Sequence, residues 1–236
     1  MRARNQNSTA ARFLHALTSR ALVLSALLLC SMMSFAADPA TVTFSLDFPN
    51  STPEHYLISV ESDGRAHYES AGKITPDSDV RDQYQNDFTI SDSTRARIFE
   101  LAEQAHYFSG KIDASKKKIA FTGTKKLAYK DGQRNSSAEY NFSALAPVEQ
   151  LTTLFQSMAA TLEFGHRLEY DHRYQKLALD DELKRMEDQA RQGELSELQA
   201  VNPLLQQIYD DPSVMNVVRA RAHRIMELAP TQAAGH

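Results

Sequence analysis

Asp63-Gly64 and Asp131-Gly132 each stand between two stretches whose apolar residues recur at every second position, and this arrangement constrains the fold more than any other feature of the chain. Alternation gathers side chains of one kind on one face of a strand, and Asp-Gly supplies a tight turn between neighbours. Tyr56, Ile58 and Val60 precede the first turn, and Ala66 and Tyr68 follow it. Leu127 and Tyr129 precede the second, followed by Ala138, Tyr140 and Phe142. Val42, Phe44, Leu46 and Phe48 mark a strand ahead of Pro49. Residues 71–83 read as a polar loop and residues 84–90 as a short further strand. Hairpins rather than crossovers imply an antiparallel sheet.

The helical period appears between and after the hairpins. Ser91-Asp92-Ser93 offers oxygens to the unpaired N–H groups of a helix start, and Ile98, Leu101, Ala102 and Ala105 follow at helical spacing up to Gly110. Pro147 suits a first helical turn, and Val148, Leu151, Phe155, Met158 and Leu162 trace one stripe that Gly165 is expected to end. Residues 37–165 therefore read as an α+β domain, an antiparallel sheet built from hairpins with helices packed on it. Residues 166–230 carry no strand signal and read as a C-terminal all-helical region. There Leu179, Leu183, Met186 and Ala190 mark one buried side, with Gly193 as its stop. Leu195, Leu198 and Val201 begin another helix that Pro203 ends or kinks, and Asp211-Pro212 starts the last, along Val214, Val217, Val218, Ala222 and Ile225. Residues 231–236 read as a disordered tail.

Residues 1–36 have the pattern of a secretory signal peptide. Arg2, Arg4, Arg12 and Arg20 precede any acid, an uncharged apolar run extends from Ala21 to Cys30, and Ser34-Phe35-Ala36 offers small residues at the cleavage positions. The run is shorter than a comfortable membrane span, although an uncleaved N-terminal anchor is the rival reading. Cleavage after Ala36 removes four of the 26 basic residues and none of the 30 acidic ones, leaving 22 against 30, a formal charge of −8. Such a chain does not suit non-specific nucleic-acid binding. It also loses Cys30, its one cysteine, so disulfides, thiol nucleophiles and thiolate metal sites drop out. The expected location is periplasmic or secreted, with no transmembrane span in the mature chain.

The run Tyr56-Leu57-Ile58-Ser59-Val60, then Asp63-Gly64, Tyr68, and Ile90-Ser91 opening a helix that ends in Tyr107-Phe108, resembles a group of exported bacterial domains of unknown function. In that group a strand, a Gly turn, a tyrosine-bearing strand and a helix ending in aromatics recur. The resemblance implies a bacterial envelope protein and brings no activity with it.

Few residues suggest chemistry. Glu169 and His172 make a Glu-x-x-His step on one side of a helix, with His166 six residues before His172, so these three are the candidate metal ligands. The pattern lacks both the second step of a di-iron bundle and the two histidines four apart of a zinc helix. The competing reading is a charged, solvated helix face. Lys111, Lys116, Lys117, Lys118, Lys125, Lys126 and Lys130 gather in a segment whose one acid is Asp113. Lys116, Lys117, Lys118, Lys125 and Lys126 form its centre, a candidate patch for an anionic partner, unless they serve to keep sheet edges from aggregating. Tyr68, Tyr107, Tyr129 and Tyr140 read as half-buried packing residues. No two of the eight glycines form a phosphate-cradling loop or a nucleophile elbow.

No catalytic set and no cofactor is assigned. The favoured expectation is a non-catalytic envelope protein that binds another protein or an envelope component. The alternative is a hydrolase or metal-dependent enzyme with a site near Glu169 and His172. The export signal is tested directly by mass spectrometry of protein produced in a secreting bacterium. An N-terminus at Ala37 is expected, and retention of residues 1–36 would favour the anchor.

Overall fold

Thr41–Asp47 (β1) buries Val42, Phe44 and Leu46 on one face, as its alternation requires. It pairs with strands distant from each other in sequence: His55–Glu61 (β2) on one side and Thr124–Lys130 (β5) on the other. Arg65–Lys73 (β3) and Arg81–Thr89 (β4) extend the sheet beyond β2, and Asn135–Tyr140 (β6) extends it beyond β5. The result is a six-stranded antiparallel sheet in the order β4-β3-β2-β1-β5-β6. The computed structural model describes residues 38–73, 81–114 and 119–229. The expected signal peptide at residues 1–36, Lys116, Lys117, Lys118 and the expected tail from 231 lie outside the described residues.

The two Asp-Gly turns work differently. Gly64 takes a φ of +94°, which glycine reaches without a Cβ clash, while the Asp63 carboxylate accepts the Arg65 N–H at 3.0 Å. At the second turn the aspartate does the work: Asp131 Oδ1 accepts the Gln133 and Arg134 N–H groups at 2.7 and 2.6 Å. The polar stretch 71–83 is not all loop, because β3 runs to Lys73 and β4 starts at Arg81. Alternation is illegible there because Ser70, Gly72 and Asp82 occupy the inward positions.

Two helices cover one face of the sheet, giving the α+β class. Asp92–Gln104 (α1) begins where Ser91 Oγ accepts the Thr94 N–H, and it stops before Gly110, in a short left-handed turn at His106–Phe108. Ala146–Tyr174 (α2) begins with Pro147 and runs for 29 residues. Phe155 from α2 stacks on Phe44 of β1 with centroids 5.4 Å apart. On the opposite face Thr43, Ser45, Ser59, His67 and Glu69 stay partly exposed.

Gly165 does not end α2. A Cβ there would lie 2.7 Å from Val201 Cγ1, so the glycine admits a close approach of the turn at Leu198–Val201. The buried apolar residues nevertheless form two clusters, one reaching Leu162 and the other starting at Phe164. The second packs α2 against Leu179–Arg191 (α3), Asn202–Asp210 (α4) and Asn216–Leu228 (α5), through Leu168, Leu183, Met186, Ile208, Val218 and Ile225. Pro203 sits in the first turn of α4 rather than ending a helix, because that position has no N–H partner to lose. Asp211 does not cap α5; its Oδ1 accepts the Ser213 N–H at 2.8 Å, and the helix begins later. Among the described residues no helix is long and apolar enough to cross a membrane.

Charged residues join these layers. Glu197, with φ at 57°, reaches from the turn before α4 to the N-terminus of α1, where its carboxylate accepts the Ser91 N–H at 2.7 Å and the Ser91 hydroxyl at 2.8 Å. Glu182, buried on α3, accepts Arg167 of α2 at 2.6 Å, and Glu187 accepts Arg224 of α5 at 2.9 Å.

The packing at Gly165 makes a test with opposed contributions. Ala in a helix interior gains about 1 kcal/mol over Gly, whereas overpacking costs about 1–3 kcal/mol. Gly165→Ala is expected to destabilise the protein by up to about 2 kcal/mol in urea unfolding. Adding Val201→Ala should recover the part due to the clash, and a stabilised Gly165→Ala single variant would refute the close approach.

Candidate functional site

Past Leu162 the inward face of α2 turns polar. Glu163, His166, Tyr170, Arg173 and Tyr174 recur at three- and four-residue steps, so one helix face carries them over the end of the sheet formed by β3 and β4. Glu163 is only 7% exposed. A carboxylate so placed needs donors, and it has them: the Tyr68 hydroxyl at 2.5 Å and the Ser70 hydroxyl at 2.7 Å, both from the inward side of β3. His166 Nδ1 stands 3.9 Å from Glu163 Oε2, an electrostatic contact too long for a hydrogen bond. Its Nε2 lies 3.1 Å from Asp82 Oδ2 on β4, and the Tyr84 ring stacks on the imidazole with centroids 4.3 Å apart.

These contacts fix the charge states. Burial drives the Glu163 carboxyl upward, but His166 and the two hydroxyls outweigh it and hold the pKa below the ordinary glutamate value. Burial likewise pulls His166 down, and Glu163 and Asp82 outweigh it, so His166 stays protonated above the usual histidine range. Burial pushes Tyr68 far up and Tyr84 to about 12, keeping both phenols protonated. Glu163, His166 and Asp82 thus stand in series, with the Glu163 carboxyl and the His166 imidazole each biased toward its charged form.

Two clefts of about 350 Å³ each open beside this cluster. One is lined by Asp82, Tyr84, His166, Glu169, Tyr170 and Tyr174. The other is lined by Tyr84, Asn86, Glu169, His172, Pro203 and Gln207. They share Tyr84, Glu169 and Arg173, and together they follow the inward side of β4, an edge strand, with α2 and α4 as the far wall. Tyr174 is 64% exposed at the outer end. A wider cleft of about 830 Å³ between α1, α2 and residues 193–196 is floored by Leu101 and Leu154, and Arg97 donates to Gln150 there, both on the cleft lining.

The three candidate metal ligands do not converge. His166 is held by Asp82, and Glu169 pairs with Arg173 at 3.7 Å. His172 Nε2 lies 2.9 Å from Asp211 Oδ2, in the turn before α5. Among the described residues no three or more His, Cys, Asp or Glu side chains are grouped so as to hold a metal ion. Lys176 also donates to Asp211 at 2.6 Å and to the Ser213 hydroxyl, which donates to Asp211 Oδ1 at 2.6 Å. The donors Lys176, Ser213 and His172 hold the Asp211 carboxyl well below the usual carboxylate range. The cluster fastens the end of α2 to the turn before α5.

Lys125 does not belong to an exposed anion patch. Only 6% exposed, it donates to Thr122 Oγ1 at 2.9 Å and to Asn141 O at 3.0 Å, and burial lowers its pKa. Nor do the lysines of β5 guard a sheet edge, since β5 lies between β1 and β6. Lys126 faces the other side and lies 3.5 Å from Glu139 on β6. Tyr68, Tyr129 and Tyr140 are buried, and Tyr107 is half-buried against Tyr129. Spacing alone singles out His166 and Glu169 but passes over Glu163, Ser70 and Asp82. The Glu163-x-x-His166 step is as visible as Glu169-x-x-His172; a carboxylate directly after an apolar stripe is the additional signal.

Opposite pKa directions give the cluster a defined pH window. The contribution of His166, whose pKa is raised on folding, is complete below the ordinary histidine value and lost as pH rises through the folded one. That of Glu163, whose pKa is lowered, is complete above the ordinary glutamate value and lost as pH falls through the folded one. Both are present between roughly pH 4.5 and 6.5. Thermal unfolding of His166→Gln should therefore fall furthest below the parent in that window, with the gap closing in alkali. Tyr68→Phe is expected to cost about 1–3 kcal/mol by removing a donor from a buried carboxylate. A pH-independent gap for His166→Gln would show that the imidazole contributes packing alone.

No protein-family model matches this chain, and a search of curated proteins finds no match, so the chemistry of the site stands on its geometry.

Proposed function

We propose that this chain is an exported, non-catalytic binding module that works in the periplasm or outside the cell, where the clefts beside β4 hold another protein or an envelope component. The observation that carries this reading is the pair of tyrosine-lined clefts along an edge strand, walled by a helix whose orientation a buried ionic cluster fixes. Aromatic rings with a polar tip supply large contact area at small entropic cost, and Tyr170 and Tyr174 offer two such rings next to each other at 5.1 Å between centroids. The inner groups of the cluster are occupied with one another: Glu163 by Tyr68 and Ser70, His166 by Asp82. They hold the walls, while Glu169, Tyr170, Arg173 and Tyr174 remain to meet a ligand. The arginine-bearing, acid-free N-terminal segment supports export: four arginines and no acid precede Asp38.

The reading is tested by placing a benzoylphenylalanine photocrosslinker at Tyr174 in the full chain, expressed with its own N-terminus and irradiated in cells. A discrete adduct in the exported fraction is expected from Tyr174 and not from Lys184, which is exposed on α3 away from the clefts. Equal labelling from both positions, or none from either, would overturn the proposal.

A further inference from the structure

We infer that the ligand of these clefts is an extended polypeptide segment, which adds to β4 as a seventh strand and lowers a lysine or arginine side chain between Tyr84, Tyr170 and Glu169. The inference rests on the binding reading above and specifies its ligand class. It starts from the two ends of the sheet, which differ. Along β6 the segment after α1 is fastened to the strand: Ser136 Oγ donates to Tyr107 O at 2.5 Å, and the Ala114 N–H donates to Phe142 O at 2.8 Å. The Asn141 N–H also reaches Asp113 Oδ1 at 3.3 Å. Along β4, among the described residues, no backbone is paired on the outer side.

The free groups of β4 can be assigned. Antiparallel pairing alternates, so that every second residue bonds to its neighbour strand and the ones between face outward. The Ile90 N–H donates to Gly64 O at 3.0 Å, which sets the phase: residues 82, 84, 86 and 88 bond to β3, and residues 83, 85, 87 and 89 face the open edge. Asp82 Oδ1 takes the Gln83 N–H at 2.8 Å. Gln85, Asp87 and Thr89 are left with outward N–H groups, and the carbonyls between them supply acceptors. All nine residues of β4 stay in register with β3 without a bulge, and the strand holds neither lysine nor proline, the usual guards of such an edge.

The side chains of an added strand would alternate as those of β4 do, every second one pointing to the helix side and into the clefts. There Glu169 supplies a carboxylate, and the rings of Tyr84 and Tyr170 supply faces for a cation. The site already accepts a guanidinium at its rim: Arg173 lies 5.9 Å over the Tyr174 ring, with only the loose 3.7 Å contact to Glu169. From Asp82 to Asp87 the clefts follow about 17 Å of strand, room for a segment of about six residues.

Phage-displayed random dodecapeptides selected on the purified protein provide the probe. Selected sequences are expected to be rich in β-branched residues and to carry a lysine or arginine. A synthetic peptide of this kind should slow hydrogen exchange at the amides of Gln85, Asp87 and Thr89. Gln85→Pro removes one outward donor that the sheet does not use, so it should weaken peptide binding about tenfold while leaving the unfolding temperature near the parent value. Glu169→Lys should weaken it as well, and the exchange measurement stands on the parent protein even if a variant fails to fold. Failure to select any peptide, or a bound peptide that leaves the β4 amides exchanging freely, overturns strand addition. If the Tyr174 crosslink still forms in either case, the binding reading survives without it; if the crosslink is also absent, both fall.

Discussion

The buried carboxylate of Glu163 is the contact on which the geometry of this protein turns. Removing an ion of that size from water costs several kcal/mol unless donors replace the solvent, and here the donors come from a different element. Tyr68 and Ser70 lie two residues apart on the inward side of β3, so they can reach one carboxylate only if α2 crosses the sheet at that point and in that rotation. His166, one turn on, then falls beside Asp82 and under the Tyr84 ring. The helix cannot roll about its axis without exposing or abandoning Glu163, and the cleft walls beyond His166 inherit that constraint.

The same helix unites two cores. Its first half covers the sheet through Val148, Leu151, Phe155 and Met158, and its second half enters the helical cluster through Phe164 and Leu168. Glu163 and His166 sit at the change from one to the other. A second carboxylate, Glu197, makes an independent tie by reaching from the helical region to the start of α1. Both ties consist of an acid accepting several short hydrogen bonds from another element, which is directional where apolar packing is not.

The strands and hairpins were legible because their inward positions are apolar: Val42, Phe44, Leu46, Tyr56, Ile58 and Val60 announce the period without help from context. Where inward positions are polar or glycine, at Ser70, Gly72 and Asp82, the period vanishes and two strand ends read as loop, although Ser70 and Asp82 belong to the site. Gly165 misled for a related reason. Glycine ends helices when the backbone must turn left-handed, but in α2 it makes room for Val201, a contact that local sequence does not encode. Lys125 shows the limit of composition: its neighbours in sequence suggested a solvated patch, whereas its strand position turns it inward to Thr122 and Asn141. Of the cluster, His166 drew notice as a histidine near an acid, and Glu163 did not, since its donors lie more than ninety residues away.

The place of β1 in the sheet has a consequence for how the chain comes to be folded as it is made. Four strands, β1 to β4, are adjacent in space in the order in which they leave the ribosome, so a meander can assemble early from local pairings. The other flank of β1 must wait for β5, about eighty residues later, and the apolar underside waits for α2 later still. Until then Val42, Phe44, Ile58 and Val60 have only α1 to cover them. A chain in this condition exposes apolar strand faces for as long as the covering elements are missing, which makes the early meander prone to aggregation.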